Sequence, residues 1–299
     1  MVRQLFSFCF LKQFDVLFLY IVIFKVMNDS PCRLCEGKGF LVQPSASGKS
    51  VSWLQLCECQ QELCKTCAGD GTPPYIYIHE PTRTVKPCPC KPARTRIENL
   101  NRLFKESRIP IKYRGRQLKE FKVSQEDGPQ HLIAYDNANH FLLSFPKARE
   151  HKLKGLFFYG QPGTGKTFLA CLILNEVLYR YQTPVQYMKI TRHFFNELRS
   201  SFQADSEMFG QGESLFNKVA DSELLVIDDF GVQSDTDWEQ RTLYDLIDAR
   251  YETEKPTIIT SNKHPEELKK IFHGRVFSRL KEMTEFQEMG GRDYRENFL

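Results

Sequence analysis

A glycine-rich segment between an apolar run and a helical pattern constrains this chain more than any other feature. Leu156–Tyr159 is apolar, the next residues read GQPGTGKT, and an apolar stretch with helical spacing follows. Gly-x4-Gly-Lys-Thr between a strand and a helix is the pattern of a phosphate-binding loop, or P-loop. Its glycines let successive backbone N–H groups point into one concavity, and the helix N-terminus adds positive potential. We therefore predict an α/β core that binds a nucleotide.

The residues of this loop have separate predicted roles. Lys166 is expected to reach the β- and γ-phosphates of ATP, and the Thr167 hydroxyl to bind Mg²⁺. The predicted nucleotide-binding residues are Gly160, Gln161, Pro162, Gly163, Thr164, Gly165, Lys166 and Thr167. A chance glycine-rich turn is the alternative, and two further motifs disfavour it.

Both motifs are apolar runs that end in polar residues. Leu224–Ile227 ends in two acids, of which Asp228 is expected to hold Mg²⁺ and Asp229 to lie near the attacking water. A run from Pro256 ends in Asn262, which is placed to orient that water or to touch the γ-phosphate. The alternatives are a helix cap or turn for the two acids and an ordinary strand-to-loop residue for Asn262.

Eight of the ten cysteines lie between residues 32 and 90, in two repeats. Each repeat reads Cys-x2-Cys-x-Gly-x-Gly, then a spacer, then Cys-x-Cys, which indicates a duplicated unit. Four thiolates suit one tetrahedral, structural Zn²⁺, so we predict two zinc sites. Sequential pairing gives one site with Cys32, Cys35, Cys57 and Cys59, and another with Cys64, Cys67, Cys88 and Cys90. Interleaved pairing, disulfides and iron–sulfur ligation remain open.

Local composition predicts four segments. Residues 27–95 form the zinc-stabilised module, in which alternating apolar residues favour β-hairpins. Residues 96–149 form a basic, helical connector, and residues 150–299 form the ATPase core. Residues 1–26 are hydrophobic, but their longest apolar run is too short to span a bilayer. A start codon assigned too early, a membrane-associated segment and a docked helix remain open for them.

A net charge of only +4 means that any nucleic-acid site must be a local patch. One basic run contains Lys112, Arg114, Arg116 and Lys119. It is interpreted as a solvated face, with a phosphate-backbone contact or an edge of the nucleotide pocket as alternatives.

A second basic segment includes Arg192 and Arg199, which are candidates for single-stranded DNA contacts. The adjacent Phe194 and Phe195 are predicted to pack in the core.

The order of motifs GQPGTGKT, LLVIDDFG, TIITSN, RVFSRL and GGRDYR, with SRIPIKYR upstream, resembles the AAA+ ATPases of the DnaC/DnaI helicase-loader and IstB transposition-helper group. The resemblance runs from about residue 96 to the C-terminus and implies a parallel sheet with flanking helices. It places Asn262 at the sensor 1 position and Arg279 at the arginine-finger position, with Arg275 one turn earlier. A surface arginine pair is the alternative for these two. Arg295 is a further candidate near the nucleotide.

Two features depart from known patterns. Most AAA+ proteins have Glu where this chain has Asp229, so slow ATP hydrolysis is expected. The cysteine knuckles resemble those of the DnaJ chaperone cysteine-rich domain, but every second half is Cys-x-Cys, so the resemblance is local and implies no chaperone.

Together, the motifs and the resemblance predict a cytoplasmic ATPase that loads the hexameric replicative helicase during DNA replication. ATP, Mg²⁺ and two Zn²⁺ are the expected cofactors. The expected partners are the helicase, single-stranded DNA and further copies of the chain bridged by ATP, with no stable membrane partner. A transposition helper and a zinc-dependent adaptor that uses ATP as a switch are the alternatives.

Overall fold

The computed structural model describes residues 32–35, 38–42, 54–64, 73–123, 128–148, 150–231, 236–271 and 274–294. Residues 1–26 as well as Cys67 and Arg295, for which roles were predicted, lie outside these ranges. The chain divides into two compact units, Met1–Asn101 and Arg102–Leu299. This division falls inside a helix.

The described part of the first unit contains two antiparallel hairpins. Strands β1 (Phe40–Val42) and β2 (Leu54–Leu56) form one, and β3 (Ile76–His79) and β4 (Thr84–Pro87) form the other. β-Branched and aromatic residues suit the half-buried surface of such strands. His79 is the last residue of β3.

Two helices begin directly after cysteines of this unit. Helix α1 (Glu58–Leu63) follows Cys57, and helix α2 (Lys91–Glu106) follows Cys90. Helix α2 begins before residue 96, where the helical connector was predicted to start. Pro92 is compatible with this start because proline is tolerated in the first turn of a helix.

The second unit is built on one five-stranded parallel sheet with the order β6-β7-β8-β5-β9. Its strands are β5 (Gly155–Tyr159), β6 (Val185–Lys189), β7 (Leu224–Asp228), β8 (Thr257–Ser261) and β9 (Thr284–Glu288). Parallel strands covered on both faces read as continuous apolar runs, which is why β5, β7 and β8 were predictable. The edge strand β9 was not predicted, because Phe286 is the only hydrophobic residue among its five.

Helices flank this sheet, so the predicted α/β architecture is confirmed. They are α3 (Pro129–Ser144), α4 (Lys166–Tyr181), α5 (Asn196–Ser200), α6 (Gly212–Ala220), α7 (Asp237–Glu252), α8 (Pro265–Ile271) and α9 (Arg275–Met283). Short 3-10 helices cover Leu118–Glu120 and Phe145–Lys147, and a π-helical turn covers Ile190–Phe195. In the residues that the structure describes, no helix combines the length and the apolar character needed to cross a bilayer.

The sheet is buried by aromatic and aliphatic side chains. Phe194 and Phe195 are each 1% exposed and belong to the main core, which confirms their predicted packing role. At the edge strand β6, the backbone N–H of Tyr187 donates to the carbonyl of Ser107 at 2.8 Å. This contact covers part of an edge that would otherwise be open to pairing with another chain.

Arg250 is fully buried and fastens the beginnings of two strands. Its Nε donates to Thr257 Oγ1 at 2.7 Å and its Nη2 to the Pro256 carbonyl at 2.6 Å. Its Nη1 donates to the carbonyls of Ala220 and Ser222, both at 2.9 Å. Burial lowers the pKa of Arg250 to about 9, so the guanidinium remains charged at neutral pH.

We predict that Arg250→Lys destabilises the protein by about 3 kcal/mol, because an ammonium cannot satisfy these divergent acceptors in a buried site. Urea denaturation followed by circular dichroism measures the effect. Arg241→Lys, an exposed change on the same helix, is the matched control and should leave stability nearly unaltered. Equal stability of the two variants would contradict the prediction.

Candidate functional site

The predicted motifs meet at one edge of the parallel sheet. The loop 160–165 follows β5, Asp228 ends β7, and Asn262 follows β8. The carboxyl ends of parallel strands lie on the same side of a sheet, where ligands of α/β proteins bind. The architecture therefore brings together residues that are about a hundred positions apart in sequence.

The loop 160–165 requires glycine at defined positions. Gly160, Gly163 and Gly165 have φ values of 135°, 84° and 89°, which favour glycine. A Cβ atom at Gly160 would also collide with the carbonyl oxygen of Met289. Because these positions carry no side chain, phosphate groups can approach the backbone of the loop closely.

Polar contacts tie this loop to its own helix and to α3. The Lys166 ammonium donates to the carbonyls of Gly160 at 2.9 Å and Gln161 at 2.6 Å. The buried His131 places its Nε2 2.9 Å from the carbonyl oxygen of Thr164. His131 was not predicted to be part of the site, because nothing in the local pattern of α3 marks it.

Three hydroxyl groups surround the carboxylate of Asp228. Thr167 and Thr260 donate to its Oδ1 at 2.7 and 2.6 Å, and Tyr187 donates to its Oδ2 at 2.6 Å. Burial, followed by the charge of Asp228, raises the pKa of Tyr187, so the phenol stays protonated and donates. The structure thus places Thr167 and Asp228, the two predicted Mg²⁺ ligands, in direct contact.

Asp229 lies beside Asp228 but has different partners. Its backbone adopts a φ of 59°, and its N–H donates to Thr260 Oγ1 at 3.2 Å. Its carboxylate forms an ion pair with Lys189, with 2.5 Å between Oδ2 and Nζ. Lys189 ends β6 and was not predicted to be near this acid.

A pocket of about 720 Å³ opens beside the loop. The predicted site residues that line it are Gly163, Gly165, Lys166, Thr167, Asp229 and Asn262. Its other lining residues are Lys112, Tyr113, Arg116, Glu120, Phe121, Lys122, Phe168 and Tyr294. A pocket of this size is typical of small-ligand sites. Part of the basic run 112–119 therefore forms the pocket edge, one of the alternatives considered above, and not simply a solvated face.

Helix α4 holds this part of the pocket in place. The buried Asn175 donates to the carbonyls of Tyr113 at 2.8 Å and Arg116 at 2.9 Å. Tyr179 donates to the carbonyl of Gly115 at 2.8 Å. Because the same helix begins with Lys166, the phosphate loop and this part of the pocket are fixed to one element.

The aromatic wall consists of Tyr113, Phe121 and Phe168. The ring centroids of Tyr113 and Phe168 are 5.5 Å apart, and the Arg116 guanidinium lies 5.7 Å from the Phe168 centroid. Flat, electron-rich surfaces of this kind suit a purine base.

The described part of the motif GGRDYR, residues 290–294, packs on the phosphate loop. The N–H of Tyr294 donates to the Gly163 carbonyl at 3.2 Å, and the Asp293 side chain occupies the space that a Cβ at Gly163 would need. Tyr294 also lies near the His131 ring, with 5.8 Å between centroids.

Arg279 contacts its own chain in this structure. Its Nε lies 2.5 Å from Asp248 Oδ1, and its guanidinium faces the rings of Tyr244 at 4.9 Å and Tyr251 at 5.6 Å. Arg279 does not line the pocket. Arg275, at the start of α9, is exposed.

Arg199, a candidate DNA contact, forms an ion pair with the buried Glu239 and lies 5.5 Å from the Trp238 ring centroid. A role for Arg199 in binding DNA would therefore compete with an ion pair inside the protein.

Four cysteines of the first repeat come together. The sulfur atoms of Cys32, Cys35, Cys57 and Cys59 all lie within 4.8 Å of one another. The distances of 3.4 Å between Cys32 and Cys57 and 3.7 Å between Cys35 and Cys59 exclude disulfides, whose S–S bond is about 2.05 Å. They approach the edge of about 3.8 Å that four sulfurs around one Zn²⁺ require. The donor set therefore fits a tetrahedral metal ion.

The second repeat forms a similar cluster of Cys64, Cys88 and Cys90, with sulfur separations of 3.2 to 3.8 Å. Both groups contain cysteines of one repeat only, as sequential pairing would require. The Arg94 guanidinium donates to Cys90 Sγ at 3.3 Å, and this charged contact was not predicted.

Hydrogen bonds and burial change the pKa values of these thiols. A hydrogen bond from the backbone of Cys35 lowers the pKa of Cys32 to about 7. Burial, followed by contacts with neighbouring cysteines, raises the pKa of Cys59 to about 12. Burial also raises the pKa of Cys57, so Cys57 and Cys59 resist ionisation by themselves, and a divalent cation would supply the missing compensation.

Residues 104–295 match the family model described as "IstB-like ATP binding protein". The chain is 29% identical over 262 residues to the replicative helicase loader DnaI of Bacillus subtilis (strain 168), covering 83% of this chain and 80% of that protein. It is 26% identical over 186 residues to the replicative helicase loader DnaC of Escherichia coli (strain K12), covering 62% of this chain and 71% of that protein.

Among solved structures, the DnaC helicase loader superposes with a TM-score of 0.52 at 24% identity, covering 60% of this chain and 98% of that one. This similarity shows the AAA+ fold of the second unit. With the family match extending over most of the chain, the conclusion is that the protein belongs to the IstB-like ATP-binding protein family.

Proposed function

We propose that this protein is an ATP-dependent loader of the replicative DNA helicase. The observation that carries the proposal is the contact between Thr167 and Asp228 beside a phosphate loop, in a chain similar to proteins named replicative helicase loaders. The phosphate loop and Lys166 are proposed to hold the phosphates of ATP, and the aromatic wall to hold its base.

The catalytic roles follow from the surroundings of each polar group. When bound by Thr167 and Asp228, Mg²⁺ supplies neutralisation of the charge that develops on the phosphates. Asp229 and Asn262 both line the pocket and are proposed to orient the attacking water. In this structure Asp229 pairs with Lys189, and this ion pair must break before Asp229 orients the water, so slow hydrolysis is expected.

Copies of the chain are proposed to associate through ATP. In such an assembly Arg279 would reach the γ-phosphate bound by a neighbour, which requires its guanidinium to leave Asp248. Arg275, exposed one turn earlier, would approach the same interface. The inner face of the assembly is proposed to bind single-stranded DNA.

The cysteine clusters are proposed to hold two zinc ions, with Cys67 as the fourth ligand of the second. The described sulfur positions support tetrahedral coordination, and reduced thiols agree with a cytoplasmic location. The exposed apolar side chains of the second hairpin, Ile76, Ile78 and Val85, are proposed to contact the helicase.

A transposition helper remains the second candidate, because the matched family is named after IstB. The two functions differ in the partner protein and not in the nucleotide chemistry. Direct binding to the helicase therefore discriminates between them. The zinc-dependent adaptor that uses ATP only as a switch is distinguished by separating ATP binding from hydrolysis.

We predict that Lys166→Ala weakens ATP binding about 100-fold, or roughly 2.7 kcal/mol, by removing the cation that contacts the phosphates. Asp229→Ala should bind ATP normally and lose hydrolysis. Fluorescence titration with an ATP analogue and a phosphate-release assay measure the two steps. Lys154→Ala, an exposed change just before β5, is the control.

Normal hydrolysis by Asp229→Ala would remove that residue from the mechanism. Helicase loading by a variant that binds ATP but cannot hydrolyse it would favour the adaptor.

Purified full-length protein should contain two zinc ions per chain by elemental analysis. Cys32→Ser should lower the zinc content by one, because three thiolates hold structural zinc poorly. Cys171→Ala changes a buried thiol in α4 outside both clusters and should leave two ions bound. Iron in place of zinc, or an unchanged content in Cys32→Ser, would contradict the assignment.

Ile78→Glu should lower the affinity of the full chain for the host replicative helicase at least about tenfold, because it places a charge on an apolar contact. Loss of co-migration on size exclusion measures this effect. Ile78 is 64% exposed, so the fold should tolerate the change. Leu143→Glu, which alters a residue 69% exposed on α3, is the matched control. If the unaltered protein fails to bind the helicase with ATP present, the transposition helper becomes the favoured function.

A further inference from the structure

A buried tyrosine on a neighbouring strand holds the acid predicted to bind Mg²⁺. Tyr187 is 3% exposed, and its hydroxyl donates to Asp228 Oδ2 at 2.6 Å. We propose that Tyr187 is a positioning residue that sets the affinity of the nucleotide site for Mg²⁺. This inference rests on the proposed ATPase function and assigns a role to a residue outside its motifs.

The two oxygens of Asp228 have different surroundings. Oδ1 accepts from Thr167 and Thr260, and Thr167 is itself the other predicted Mg²⁺ ligand. Oδ2 accepts from Tyr187, which contacts no part of the phosphate loop through this hydroxyl. The bond from Tyr187 therefore stays in place when the Thr167 oxygen turns to a metal ion.

A hydrogen bond to one oxygen restrains rotation of a carboxylate about its Cβ–Cγ bond only loosely, because such a bond bends easily. A donor on the second oxygen fixes the plane of the group and thereby the direction of its lone pairs. The hydroxyl of Tyr187 provides this second point. Without it, the carboxylate must be ordered each time that Mg²⁺ binds, and the lost freedom lowers the affinity.

A hydrogen bond also withdraws electron density from the carboxylate, which weakens it as a ligand. This effect opposes the gain from orientation. Partners of metal-binding groups usually improve affinity, and their removal costs about 10- to 100-fold. We therefore expect orientation to dominate at Asp228.

The phenol of Tyr187 is itself rigidly placed. Strand β6 pairs with β7, and the Tyr187 backbone lies opposite Val226, two residues before Asp228. Its N–H donates to the Ser107 carbonyl on the other side at 2.8 Å. Both anchors are backbone contacts, so Tyr187→Phe should keep the ring in place and remove the hydroxyl alone.

Tyr187→Phe is tested in the full chain by titrating Mg²⁺ against binding of a fluorescent ATP analogue and against ATP hydrolysis. The Mg²⁺ concentration at half-maximum should rise about tenfold in both assays. Affinity for the analogue in EDTA and the maximum rate at saturating Mg²⁺ should stay close to those of the unaltered protein.

Tyr181→Phe is the matched control. Its hydroxyl donates to the Leu142 carbonyl at 2.7 Å, so this change also removes one hydrogen bond, but away from the pocket. The control should lose a similar amount of thermal stability and keep the normal Mg²⁺ requirement. This comparison separates positioning from a general structural role.

An unchanged Mg²⁺ requirement in Tyr187→Phe would overturn the inference and leave the ATPase proposal intact. Weaker binding of the analogue in EDTA by the same factor would also overturn it, since the effect would then not involve the metal. Unaltered protein that binds no nucleotide at any Mg²⁺ concentration would overturn the proposed function together with the inference.

Discussion

Parallel pairing of β5, β7 and β8 is the constraint on which the nucleotide site depends. It carries the phosphate loop, Asp228 and Asn262 to one edge, although each belongs to a different part of the sequence. The opposite ends of β7 and β8 are fastened by the buried Arg250. The sheet is thus secured by polar contacts at its amino ends and leaves its carboxyl ends available for chemistry.

Local pattern was sufficient for the residues that lie within a motif. The phosphate loop, the acids at the end of β7 and the buried strands have spacings that follow from backbone geometry alone. Tyr187, Lys189 and Thr260 were not predictable as neighbours of these acids, because their positions depend on the strand order β6-β7-β8. Strand order is a property of the whole fold and leaves no mark in a short segment.

The cysteine repeats illustrate the same limit on a smaller scale. Their spacing predicted two groups of sulfur ligands but left the pairing open, since both arrangements satisfy the same sequence. Folding of the hairpins brings the cysteines of one repeat together. The Arg94 contact with Cys90 lies outside the spacing rule and appears only in three dimensions.

The packing of Tyr294 on the phosphate loop has a practical consequence for optical spectroscopy. Its ring lines the pocket, and its backbone contacts Gly163. The chain contains only two tryptophans, at positions 53 and 238, so the background emission is low. A tryptophan introduced at position 294 would give the protein an intrinsic fluorescent signal at the place where nucleotide is proposed to enter, without any label on the ligand.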